Sequence, residues 1–274
     1  MYGVVTRNQP ELTWGAFDRG FYEVKDVTGR RESPTAAGTN MVSCHGDSAA
    51  AQDDALVPVS KQGEPATRDR QYFDWGYACP THADYREELL GLLEDCGAVT
   101  EDVRLDDVGF PRAEYCFCDR CQRRFANSQF ADRAAWRASV ITSFVADARE
   151  RVPGELSLTL YPDPMPGHLY ERSGLDLAAL EDHVDRFVVP LYDTAYGTTY
   201  WLEALASGFV DRLDTPVSIE LYAVDVSVEA LTHAAEVAGA YADEVYFAYD
   251  ATAGRAAVEQ LRADESDTPD TDPV

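Results

Sequence analysis

The stretch VSIELYAVDVSVEALTHAAEVAGAYADEVYFAYD, residues 217–250, decides the fold. It begins and ends on short runs of β-branched and aromatic residues, VSIELYAVD (217–225) and EVYFAYD (244–250), and residues 227–242 between them read as a helix. Strand, helix and strand in so short a span form a crossover unit, which lays the two strands parallel in one sheet. Towards the N-terminus the rhythm repeats in RFVVPLYD (186–193), LSLTLYPD (156–163) and VRLDDV (103–108). The segments between read as helices at 119–151 (two helices, Asp132 capping the second), 176–184 and 198–210, and one more follows at 251–263.

Four of these runs share one design, a tyrosine at the end of an apolar strand and then an acid: Tyr161 and Asp163, Tyr192 and Asp193, Tyr222 and Asp225, Tyr249 and Asp250. Polar residues gathered at the carboxyl ends of parallel strands describe the mouth of a (β/α)8 barrel. A doubly wound open sheet would also bind ligands there, but the chain has no G-x-G-x-x-G or G-x-x-x-x-G-K loop. The expected fold class is therefore α/β, a compact (β/α)8 TIM barrel spanning residues 1–263 with a short or irregular first half. In that half, strands are expected at 1–6, 40–44 and 56–60, an extended segment at 72–77, and a helix at 83–96 behind a Thr81-His-Ala-Asp84 capping box. Residues 7–39 are polar and Gly-rich and draw no full amphipathic helix, and the acidic, Pro-containing tail 264–274 reads as disordered.

Composition bounds the partners. The 274 residues are 45% hydrophobic and 11% aromatic, enough for a substantial core. Forty-nine acidic residues oppose 23 basic ones for a net charge of −26, and only Lys25 and Lys61 are lysines. Acid excess with lysine depletion looks like proteins of salt-accumulating halophiles, whose acidic surface stays hydrated where salt screens its self-repulsion. No basic stripe exists for a phosphate backbone, which argues against nucleic acid. No segment approaches the ~20 apolar residues of a membrane helix, and MYGVVTRNQP does not read as a signal peptide. The cytoplasm is the expected location, and a dense cysteine motif in that reducing compartment points to metal rather than disulfides.

Cys116, Cys118 and Cys121 form C-x-C-x-x-C just beyond the fourth expected strand. Thiolates on a tight turn and a helix start can converge on one zinc ion, which needs a fourth ligand in a tetrahedron. Cys79, at the opening of the preceding helix, is the best candidate, with His82 and the Cys44-His45 pair in reserve. Cys96 reads as one more buried thiol.

The order of Cys79-Pro, a downstream Tyr-Arg, a helix, a strand ending in carboxylates and then C-x-C-x-x-C resembles the family 42 β-galactosidases and related glycoside hydrolases of the large barrel clan. The resemblance covers residues 75–125. It implies that Cys79, Cys116, Cys118 and Cys121 hold a structural zinc beside the acid/base carboxylate. It also implies an acid/base after strand four and a nucleophile at the end of strand seven, the place Glu220 takes if 244–250 is strand eight. The chain departs from the family in carrying Asp106-Asp107 where those enzymes have Asn-Glu. Arg104-Leu-Asp106 looks instead like the strand-four end of α-amylase-like and α-galactosidase-like hydrolases, whose aspartate is the nucleophile.

Glycoside hydrolysis needs two carboxyl groups flanking the scissile bond. Here they are Asp107 or Asp106 and Glu220, and because neighbours on a strand alternate faces, Asp107 is expected to face the pocket with Asp106 behind it. Aromatic faces that stack on sugars are expected from Trp75, Tyr77, Tyr161, Tyr192, Tyr196, Trp201 and Tyr222. Asp163, Asp193 and Asp250 are expected to take hydroxyls, and Lys61 and Arg68 an anionic group on the substrate. The partner is then a small carbohydrate or glycoside. Two other readings stay open: a divalent-metal sugar isomerase or aldolase using Asp106, Asp163, Asp193, Glu220 and Asp250, and a barrel that binds sugar without catalysis.

Overall fold

The structure, a computed structural model, describes residues 1–165 and 167–267, with side chains as far as Asp264. Eight strands, β1 (Tyr2–Thr6), β2 (Arg19–Lys25), β3 (Thr39–Ser43), β4 (Val103–Asp106), β5 (Leu156–Thr159), β6 (Arg186–Pro190), β7 (Val217–Tyr222) and β8 (Glu244–Ala248), pair in chain order. Every pairing is parallel, and β8 closes on β1 through Tyr2↔Val245 and its successors, so the expected (β/α)8 barrel is the fold. The outer layer is α1 (Ala83–Thr100), α2 (Asp119–Ala126), α3 (Arg133–Arg151), α4 (His168–Ser173), α5 (Leu177–Leu180), α6 (Thr199–Val210), α7 (Val228–Gly239) and α8 (Ala251–Asp267). Asp132 caps α3 as expected, its carboxylate accepting from the Ala135 N–H at 2.9 Å.

The first half is irregular because helices are missing from it. A 3-10 turn at residues 9–13 joins β1 to β2, no helix joins β2 to β3, and residues 44–82 cross from β3 to α1 with only a short 3-10 turn at 50–52. Several local expectations need correction. β2, RGFYEVK, lies inside the stretch that reads as polar. Residues 56–60 form no barrel strand: Pro58 has no N–H to give a ladder, and the neighbouring backbone serves the cysteine loops, with Cys79 N–H on the Leu56 carbonyl and Phe117 N–H on that of Val59, both at 2.7 Å. Residues 72–77 are turn, bend and irregular chain, with Tyr77 alone in a bridge to Gly46. The cap of α1 is His82, which accepts from Tyr85 N–H, while the Thr81 hydroxyl turns to the sulfurs of Cys79 and Cys121, each at 3.2 Å. α8 carries Asp264 to Asp267 in helix, and the rest of the expected tail lies outside the described residues.

The barrel interior is layered along its axis. At the amino ends of the strands, Arg19 and Arg186 interleave with Glu155 and Glu244. Above them Val5, Phe21, Met41, Val188, Tyr246 and Ala248 form an apolar plug. Arg104 lies over the Phe21 ring at 4.7 Å, so the next layer up is already polar. The plug closes the barrel from below and leaves its mouth open.

Candidate functional site

A cavity of about 380 Å3 occupies the mouth, and it is lined by residues that follow or end most of the strands. Four carboxyl groups reach it, Glu23, Asp106, Asp107 and Glu220, against two guanidinium groups, Arg7 and Arg104. Trp75, Tyr161, Tyr192 and Tyr249 supply aromatic wall.

Both aspartates of the pair line this cavity, which alternation along a strand forbids. The reason is local: β4 ends at Asp106, and Asp107 takes the left-handed conformation, φ 48°. Backbone pairing continues past the strand ends, with Cys44 N–H on the Asp106 carbonyl at 2.7 Å and His45 N–H on that of Asp107 at 3.1 Å, so the unusual turn is held from the β3 side. His45 Nδ1 accepts from Gly109 N–H at 3.1 Å and fixes the chain beyond. Burial, helped by the charges of Lys25 and Arg86, lowers the His45 imidazole to about 3, so the ring is neutral. Gly46 completes the fit, since a Cβ there would stand 2.9 Å from both Asp107 Cγ and Trp75 Nε1.

The two expected catalytic acids sit in unlike surroundings. Burial, and then the adjacent Asp106 carboxylate, push Asp107 well above the usual carboxylate range. Among the described residues no cation stands within ion-pair distance of it. Glu220, on β7, is buried against Arg104, whose Nη1 lies 2.5 Å from its Oε2 without the direction of a hydrogen bond. Its Oε1 accepts from the Tyr192 hydroxyl. Arg104 is aimed by Thr159, whose Oγ1 accepts from its Nε at 2.9 Å. Burial opposes the charge on Arg104, but Glu220 and then Asp106 outweigh it and raise the guanidinium further.

Glu23 on β2 is the acid missed at the sequence level. It pairs with Arg7, accepts from the Tyr249 hydroxyl at 3.4 Å, and is raised by burial despite Arg7. Its signal was the run FYEV, and that of Arg104 was a lone charge between apolar neighbours in VRL. Burial holds the phenols of Tyr161, Tyr192 and Tyr249 well above their ordinary range, so they are neutral donors.

Of the expected residues, Trp75, Asp106, Asp107, Tyr161, Tyr192 and Glu220 line the cavity. The rest do not, for identifiable reasons. Tyr77 is buried behind Trp75, their rings 6.2 Å apart. The Tyr196 hydroxyl is spent on backbone, accepting from Tyr222 N–H at 2.6 Å and lying 3.1 Å from the Leu191 carbonyl. Tyr222 packs against Tyr192 with ring centres 5.2 Å apart and planes tilted by 41°, and Trp201 packs on the core from α6. Asp163 pairs with His168 at 2.9 Å, Asp193 holds Thr194 N–H at 2.7 Å, and Asp250 caps α8. Lys61 lies over the Phe117 ring at 5.0 Å, and Arg68 is exposed outside the cavity.

Cys79, Cys116, Cys118 and Cys121 come together, their sulfurs all within 4.8 Å of one another and those of Cys79 and Cys121 3.5 Å apart. A tetrahedron of about 2.3 Å Zn–S bonds has edges of roughly 3.8 Å, so the set fits that ion. Backbone N–H groups of Val59 and Cys118 point at the Cys116 sulfur and that of Cys121 at the Cys118 sulfur, each at 3.4 Å, donors that would suit thiolate ligands. Among the described residues this is the one such group of ligand-type side chains, so the five acids proposed for a divalent cation do not converge.

Neither a family model nor a curated protein matches the chain. Among solved structures, the glycoside hydrolase domain of PgaB (BpsB) from Bordetella bronchiseptica matches with a TM-score of 0.69 at 14% identity, over 93% of this chain and 89% of that one. A GH53 catalytic domain from Ignisphaera aggregans (0.43, 11%, 88% and 76%) and a Bacillus subtilis mannanase (0.48, 10%, 94% and 84%) are more distant. The class of protein is thus a (β/α)8 barrel, a fold it shares with a glycoside hydrolase domain.

Proposed function

We propose that the chain is a glycoside hydrolase acting on a small sugar or glycoside, with Asp107 as proton donor and Glu220 as the charged partner on the far side of the barrel. The observation that carries this is the contrast within one cavity: a carboxyl that no cation touches and burial drives towards neutrality, and a carboxylate in an ion pair with Arg104. Two carboxyl groups with environments pulled apart are what acid and base or nucleophile need. Zinc on the four cysteines ties the 44–82 loop, which carries Trp75, to the loop that follows Asp107. A reducing compartment, the cytoplasm, suits such thiolates. Purified protein screened against chromogenic glycosides in high salt tests the reading, with hydrolysis by wild type and its loss in Asp107→Asn and Glu220→Gln expected. Binding of a sugar without turnover would favour the second reading, a barrel that binds and does not cleave, for which the 2% side-chain exposure of Glu220 and its Arg104 contact speak.

A further inference from the structure

Behind Asp107 stands a residue with no role so far, Ser43 at the end of β3, fully buried and paired in register with Asp106. Its Oγ lies 2.8 Å from Asp107 Oδ2 and 2.8 Å from the Gly46 carbonyl oxygen. Each of these oxygen–oxygen contacts requires a proton between the atoms, because two lone pairs facing each other at that distance repel. The hydroxyl carries one proton and the carbonyl none. The second proton has one possible owner, Asp107.

The neighbouring cation does not change the count. Lys25 Nζ is 3.0 Å from Asp47 Oδ2, 2.7 Å from the Ser43 carbonyl and 3.4 Å from the Gly46 carbonyl, so its three donors are committed. The Gly46 carbonyl accepts from Lys25 and from the Ser43 hydroxyl, which fills its two lone pairs. The titratable or charged groups facing Asp107 are Lys25 and Glu23 from β2, Cys44 after β3, Asp106 beside it, Tyr77 from the long loop and Tyr161 after β5. None of them donates to Oδ2.

We infer that Asp107 is protonated at rest and that Ser43 is its positioning residue, accepting the carboxyl proton while its own proton is pinned on the Gly46 carbonyl. In the proposed reaction, on which only this step rests, the carboxyl turns about χ2 and its O–H bond breaks as a bond to the glycosidic oxygen forms. The glycosidic C–O bond breaks with its electron pair left on that oxygen, while the carboxylate of Glu220, or a water that it deprotonates, forms the new bond to the anomeric carbon. Ser43 can then swing its proton from Gly46 to the new carboxylate. One hydroxyl thus serves as acceptor before the transfer and as donor after it.

Infrared spectroscopy of protein carrying isotope-labelled aspartate reads the protonation directly and needs no substrate. A protonated-carboxyl stretch is expected from wild type at neutral pH and should vanish in Asp107→Asn. Its absence from wild type, or its survival in that variant, overturns the inference. Ser43→Ala should raise the pH at which the stretch disappears by about one unit, because the hydroxyl gives the charged carboxylate a stronger bond than it accepts from the neutral carboxyl, and Ser43→Thr should restore it. An unshifted Ser43→Ala titration overturns the part given to Ser43, and the wild-type and Asp107→Asn spectra decide the protonation even if Ser43 variants do not fold. A protein that cleaves no glycoside would sink the proposed function and leave the infrared result standing.

Discussion

At the amino-terminal end of the barrel, Arg19 and Arg186 are shared among three acids: Arg19 meets Glu244 at 3.1 Å, Glu155 at 3.5 Å and Asp102 at 3.9 Å, and Arg186 meets Glu155 and Glu244 at 3.4 and 3.6 Å. At the carboxyl end Arg7 and Arg104 each take one principal acid, Glu23 and Glu220, and neither Asp106 nor Asp107 has a cation within ion-pair distance among the described residues. The consequence shows in the carboxyls. Burial would raise Glu244, but the Tyr246 hydrogen bond and the charges of Arg186 and Arg19 overcome it and hold it below its ordinary range. Burial raises Asp107 with too little to oppose it. The same residue types are closed into structure at one end and left open to chemistry at the other.

Salt should separate the ends most. With a net charge of −26, loss of the folded state is expected as ionic strength falls towards ~0.1 M, where the screening length grows to ~10 Å. If the unpaired mouth acids are the weaker end, hydrogen exchange in residues 44–82 should accelerate before that of the strand starts at Arg186 and Val217. Equal stability in molar and dilute salt, followed by thermal unfolding, would remove the halophilic reading.

Substitution tests the division of labour next. Glu220→Gln and Asp107→Asn should each cut turnover about 10²–10⁴-fold with the fold retained, Asp107→Asn more mildly on activated leaving groups that need no proton. Glu244→Gln, the same kind of change at the other end, should leave turnover intact and cost about 2 kcal/mol in denaturant unfolding. Wild-type rates in Glu220→Gln on a cleaved substrate would take that residue out of the mechanism.

The cysteine cluster marks the same asymmetry, because loops without helices need a fastening that the ion network gives the opposite rim. About one zinc per chain is expected by metal analysis. Chelation should lower the melting temperature on the order of 10 °C, the equivalent of a few kcal/mol in a chain of this size, and should loosen the mouth before the strand starts. Metal-free protein of unchanged melting temperature would show that the cysteines do not need an ion.

The two ends also differ in how far the sequence reveals them. The second-half strands are legible because each is an apolar run followed by a helix, and Cys116, Cys118 and Cys121 because of their spacing, with Cys79 supplied by its place at a helix opening and by the resemblance. The tyrosine-then-acid repeat was half informative. Tyr161, Tyr192 and Tyr249 do line the cavity, but Asp163, Asp193 and Asp250 satisfy local backbone or His168 instead, since a short acid after a strand end bonds the nearest N–H first. β2 was hidden by the polar, glycine-rich stretch around it, and Glu23 with it. The Asp107 turn could not be foreseen from alternation, because it depends on β3 pairing beyond the strand ends.

The smallest effect expected is with pH, and it too should begin at the mouth. His45 is held at about 3 in the fold against an ordinary value near 6.5, so it is a base with a depressed pKa. Its contribution is therefore present above about pH 6.5 and is lost as the pH falls from there towards 3, as the unfolded chain gains a proton that the folded one refuses. At about pH 5 the loss relative to neutrality is about 2 kcal/mol. Glu244 is a depressed acid, so its contribution persists above its ordinary value and fails only at lower pH. Near pH 5 the amide of Gly109, which donates to His45, should exchange faster while the strand-start amides stay protected. His45→Asn offers an oxygen that accepts from Gly109 without titrating, and should flatten the stability profile above about pH 5. If that profile keeps its slope in the variant, or the imidazole resonances of His45 titrate near neutrality, the mouth is not the acid-sensitive end.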